Sequence, residues 1–144
     1  MTVPTVFSQT LQQTQEWLKV LMETEGLVDE RRAYAALRAT LQQLRDRLSV
    51  EEAADLGAQL PLLVRGVFFE GWHPAGKPDK TDKEEFIEGV RHKLRDHEEI
   101  DPEIAVPAVF KLLSDKVTAG EIEDVKQMLP KHLRALWPET GPAH

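Results

Sequence analysis

The chain has 144 residues, 41% hydrophobic and 30% charged, which is the balance of a globular protein rather than of a disordered chain or a membrane span. Its net charge of −7 divides as −3 over residues 1–72 and −4 over residues 73–144, with no basic stripe in either half, so nucleic acid is not an expected partner. The absence of cysteine excludes disulfides, thiolate metal sites and cysteine nucleophiles, and fits a cytoplasmic protein.

The opening MTVPTVFSQT has neither a basic n-region nor an apolar h-region, so no signal peptide is expected. The apolar runs Leu62–Val64 and Val67–Phe69 are too short to cross a membrane. Leu11, Thr14, Leu18, Leu21 and Met22, with Trp17 beside them, predict a first helix from Thr10 to Glu25. Thr10 and Gln13 form its expected capping box, and Gly26 its stop. Asp29 caps a second helix to Leu48, with Ala33, Leu37, Leu41, Leu44 and Leu48 inward and Arg31, Arg38, Gln42 and Arg45 toward water. Ser49 and Glu52 are a capping box in which each satisfies a backbone N–H of the other. It opens a third helix with Ala53, Leu56 and Leu60 inward. Pro61 ends that helix and starts a fourth, to Phe69, expected to bury Leu63, Val64, Val67 and Phe68.

Gly71 to Asp82, GWHPAGKPDKTD, reads as a linker. The plan then recurs. Thr81 and Glu84 box a helix burying Phe86, Ile87, Val90 and Leu94. Asp101-Pro102 starts another, with Ile104, Ala108, Leu112 and Leu113 inward and a bend at Pro107. Thr118 and Glu121 box the next, with Ile122, Val125 and Leu129. Pro130 starts the last, with Leu133, Leu136 and Trp137 buried and Pro138 as its stop. Nothing reads as strand.

The expected fold is therefore all-α, with about eight helices in two tandem four-helix repeats packed together as a pseudo-symmetric helical bundle. The repeats are assigned to residues 1–70 and 83–138, joined by a linker at 71–82, with a tail at 139–144. A unit of about 60–70 residues buries too little surface to be robust alone, so the halves are expected to act as one cooperative domain. The duplication rests on one alignment. Ser49–Phe68 (SVEEAADLGAQLPLLVRGVF) matches Thr118–Trp137 (TAGEIEDVKQMLPKHLRALW) without a gap at an offset of 69 residues. Ser49 meets Thr118, Glu52 meets Glu121, Leu60-Pro61 meets Leu129-Pro130, Arg65 meets Arg134 and Phe68 meets Trp137.

GEIEDVKQMLPKHLRALW at Gly120–Trp137 and its degenerate partner EEAADLGAQLPLLVRG at Glu51–Gly66 resemble the domain of unknown function 2267 family of bacterial and archaeal helical proteins. FFEGWHP at Phe68–Pro74, KEEF at Lys83–Phe86 and DPEIAVPAVFKLL at Asp101–Leu113 fit the same pattern. The resemblance runs from about Arg32 to Pro138. It implies a small all-α protein with tandem copies of one module, and carries no reaction, cofactor or substrate.

Motifs that suggest chemistry are incomplete. Gly71 to Lys77 fits the first positions of a phosphate-binding G-x-x-x-x-G-K loop, but Pro78 replaces the hydroxyl that would hold a metal and no strand precedes it. Glu70-x-x-His73 has di-iron spacing but occurs once, where the chemistry needs two copies and two further carboxylates. His92 with Asp96, and His97 with Asp101, read as solvated pairs. None of Ser8, Ser49 and Ser114 has nucleophile context. No catalytic, cofactor-binding or metal residue is assigned, and no cofactor. Phe69, Trp72 and His73 flank the linker, and the two aromatics have no counterpart in the second half. All three are the candidate partner-binding residues. The expected function is a non-enzymatic helical module that binds a protein partner or itself. The alternative is a small enzyme or metal- or ligand-binding protein with its site between the repeats.

Overall fold

Eight segments carry helical spacing closed by a cap or a proline, and all eight fold as helices. They are α1 (Thr5–Met22), α2 (Glu30–Arg45), α3 (Val50–Ala58), α4 (Leu62–Phe69), α5 (Lys83–Lys93), α6 (Pro102–Lys116), α7 (Ala119–Met128) and α8 (Lys131–Arg134). The computed structural model describes residues 3–138, so the tail at 139–144 lies outside the described residues. Among the described residues there is no strand, and the fold is all-α. No helix among them is long and apolar enough to cross a membrane.

Five helices start on a side chain that accepts from a free backbone N–H of the first turn. These caps are Asp29, Ser49, Asp82, Asp101 and Thr118. Thr81 was the expected cap of α5, but Asp82 holds that place and bonds Glu85 N at 2.8 Å. Pro61 and Pro130 are N-caps rather than first helical residues. The first helix starts at Thr5, after Pro4, because nothing from Thr5 to Gln9 opposes a helix. Thr10 is therefore not a cap but a buried mid-helix residue, and its Oγ1 accepts from Leu63 N at 3.2 Å. It caps α4 from a distance, where Pro61 has no side chain able to do so. The last helix stops after Arg134, and the chain to Trp137 closes with the shorter bonds Leu136 N to Leu133 O and Trp137 N to Arg134 O.

Arg65 and Arg134 fill the same role at the two Leu-Pro breaks. Arg65 donates to Gly57 O at 2.8 Å and Leu60 O at 3.1 Å, and Arg134 donates to Leu129 O at 3.0 Å. Each returns to the carbonyls that end the preceding helix, which have no partner within it.

One hydrophobic core gathers side chains from Trp17 to Trp137, including Leu37, Leu41, Phe68, Phe86, Phe110 and Leu113. The Phe110 and Trp137 rings stack at 4.1 Å. The second helix packs against α1, α4, α5 and α6 and is covered nearly all round. A two-faced reading of α2 therefore fails. Gln42 and Arg45, expected in water, are buried, Arg45 with only 5% of its surface exposed. Arg45 donates to Phe68 O at 2.9 Å and Glu70 O at 2.8 Å, and Gln42 donates to Val67 O at 3.0 Å. The polar side of α2 thus supplies the C-terminal cap of α4. Two expected core residues point outward, Leu63 (44% exposed) and Ile104 (43%), while Ala105, Val106, Val109 and Phe110 take the inner face of α6.

Arg45→Met is expected to destabilise the protein by roughly 2–4 kcal/mol, because it strands buried carbonyls that bond a charged donor. Arg38→Met, which breaks only an exposed pair with Glu70, is expected to cost less than about 1 kcal/mol. Urea unfolding of the two variants checks the contrast.

Candidate functional site

A turn at Asp46–Leu48 leads from α2 into α3, and Val117–Thr118 leads from α6 into α7. With α2 and α6 packed together, α3 and α7 also come into contact. Gln59, at the end of α3, clamps the start of α7: its Nε2 donates to Thr118 Oγ1 at 3.1 Å and its Oε1 accepts from Thr118 N at 2.9 Å. Ser49 Oγ and Thr118 Oγ1 cap their helices by accepting from Glu52 N (3.1 Å) and Glu121 N (3.3 Å). The return half of each capping box is missing. The Thr118 N–H that Glu121 was expected to take is held by Gln59, and neither Glu52 nor Glu121 bonds back to its cap.

The two released carboxylates turn into the seam between α3 and α7. Glu52 and Glu121 are 9% and 8% exposed, and Oε2 of each is buried without a hydrogen-bond donor. One oxygen each from Glu52, Glu121 and Asp124 lie within 4.8 Å of one another. Asp124 is exposed, so the rim of the cluster meets solvent. Burial pushes the Glu121 carboxyl up to about 8, reinforced by a hydrogen bond to Glu52 that only a protonated carboxyl can make and by the negative charges of Glu52, Asp55 and Asp124. With both glutamates ionised, acceptor faces acceptor, and a cation between them would relieve the repulsion.

A family model described as "Uncharacterized conserved protein (DUF2267)" matches residues 14–136. The chain belongs to the DUF2267 family. No curated protein matches it.

In this DUF2267 chain the residues singled out from sequence do not converge. Phe69 and Trp72 are partly buried against the core, their rings 5.1 Å apart, with the Phe69 ring where a side chain on Gly57 would lie. His73 is exposed. Glu70 pairs with Arg38 at 3.1 Å. Lys77, in the phosphate-loop lookalike, is spent on Asp79 at 3.1 Å and Asp46 at 3.9 Å. His97 Nδ1 lies 3.9 Å from Glu99, away from Asp101. The acidic cluster was missed because Ser-x-x-Glu and Thr-x-x-Glu read as caps. The signal that finds it lies in the same alignment. At the 69-residue offset Asp55 meets Asp124, so Glu-x-x-Asp occurs twice, one turn of helix apart in each copy.

Because Glu121 holds its proton more tightly folded (about 8) than at its ordinary 4.5, its contribution to stability is full below 4.5 and is lost as pH rises through about 8. In the presence of a chelator, the stability of the protein relative to Glu121→Gln is expected to fall between pH 4.5 and about 8 and to level off above. Urea unfolding of both proteins across that range measures the difference. A difference independent of pH contradicts the buried carboxyl pair.

Proposed function

We propose that this chain is a helical binding module whose site is the seam between α3 and α7, and that the seam takes up a cationic ligand. The observation that carries the reading is the pair of buried, donor-less oxygens, Glu52 Oε2 and Glu121 Oε2. Folding does not need carboxylates there: the hydroxyls of Ser49 and Thr118 make the caps, and Gln59 takes the Thr118 N–H. A buried carboxylate without a partner costs several kcal/mol or is forced to bind a proton. Groups that weaken the fold when empty and are satisfied when filled are characteristic of binding sites. The match of Ser49–Phe68 to Thr118–Trp137 supports reading the halves as repeats of one module, each contributing one glutamate to the shared seam.

Replacing one of two facing carboxylates with an amide supplies the missing donor. Glu121→Gln is therefore expected to raise the melting temperature of chelator-treated protein by roughly 2–8 °C at neutral pH or above. Glu123→Gln, exposed on the same helix, is expected to change it little. A lower melting temperature for Glu121→Gln would show that the carboxylate is already satisfied and would contradict the reading.

A second reading, self-association, is favoured by exposed apolar side chains at the starts of α1 and α4. Val6 is 81% exposed, Phe7 49% and Leu62 52%. Sedimentation over a range of protein concentrations tests it, and a monomer throughout contradicts it.

A further inference from the structure

We infer that the cation is a single hard divalent metal ion, held across the seam by Glu52 of α3 and by Glu121 and Asp124 of α7, with Asp55 of α3 at the rim. The inference rests on the seam reading above and names its ligand. Size comes first. Two oxygens on a common ion at about 2.0–2.6 Å are at most about 4–5 Å apart, so ligand atoms within 4.8 Å of one another fit one coordination sphere. The gap suits an ion rather than an organic molecule.

Two of the ligand residues, Glu52 and Glu121, each also carry a buried oxygen, Oε2, that has no partner. Both side chains are about nine-tenths buried, these oxygens accept from no donor, and one carboxylate oxygen of each residue lies within 4.8 Å of one from the other across the helix contact. The charges acting on Glu121 are those of Glu52, Asp55 and Asp124, all negative, so none of them compensates it. The donor set is all oxygen, with neither imidazole nor thiolate in the cluster. That selects Mg²⁺, Mn²⁺ or Ca²⁺ over Zn²⁺ or Cu²⁺. Exposed Asp124 and Asp55 give the ion an entry from solvent and leave room for water to complete its shell. Because the ligands come from both helices, the ion also fastens α3 to α7.

The direct test is titration of full-length, chelator-treated protein with Mn²⁺ alone, following free Mn²⁺ by electron paramagnetic resonance at about pH 8. The expected result is one Mn²⁺ per chain, displaced by Mg²⁺ or Ca²⁺, with affinity weakened more than about tenfold in Glu52→Gln, Glu121→Gln and Asp124→Asn. Asp115→Asn, exposed on α6, is the control and is expected to bind as the parent does. Failure of the folded protein to take up stoichiometric Mn²⁺ would overturn the inference, as would uptake that survives the Glu52→Gln/Glu121→Gln double variant. If Glu121→Gln stabilises the protein while Mn²⁺ does not bind, the seam reading stands and the metal is wrong. If Glu121→Gln destabilises it, both fall.

Discussion

The arrangement depends on α2 being buried on nearly every side. Along its covered length α2 has little solvent for its polar groups, so most of the buried ones bond to a neighbour, the Thr40 hydroxyl excepted. Arg45 and Gln42 close the end of α4. Gln43 accepts from Lys93 of α5 at 3.0 Å and occupies the space a side chain on Gly89 would need. At the far end, Asp46 O accepts from Asp79 N at 2.8 Å, which ties the segment between α4 and α5 to the same helix. Polar side chains that look like a wet face in the sequence are the pins that set α4 and α5 around α2.

Once α2 and α6 are packed, the short connections that follow them leave α3 and α7 little choice but to meet. The chemistry of the seam follows from a substitution of partners. Gln59 takes over the backbone N–H that a capping glutamate ordinarily satisfies, and the released glutamate joins its counterpart from the other half. Two carboxylates in a low-dielectric contact are unfavourable unless a proton or a metal ion lies between them. The seam is therefore where the fold brings two buried carboxylates together with an oxygen of each unpaired.

Much of the fold was legible from residues alone. The caps Asp29, Ser49, Asp101 and Thr118, the Leu-Pro breaks and the core positions Leu37, Leu41, Val90, Leu113 and Val125 read correctly, because capping and periodicity are local. Arg45 read incorrectly, because whether an arginine meets water or a distant carbonyl is decided by what covers the helix. Thr10 failed for a similar reason. Its hydroxyl suits a cap, and it does cap a helix, but one that starts about fifty residues later in the chain. The glutamates were obscured by a sufficient explanation: Ser-x-x-Glu and Thr-x-x-Glu have a complete local meaning, and for Glu121 it is the placement of Gln59 beside Thr118 that withdraws it. Phe69 and Trp72 were drawn out by their lack of counterparts in the second half, and both pack partly buried against the core.

The central claim is that Glu52 and Glu121 face each other unpaired so that a metal ion can lie between them. Anomalous diffraction from crystals grown with Mn²⁺ near pH 8 tests it most directly. The account predicts one anomalous peak within coordination distance of the Glu52, Glu121 and Asp124 carboxylates. It is contradicted if the seam shows no peak and each glutamate is instead bonded to a protein donor, such as the N–H of its own cap.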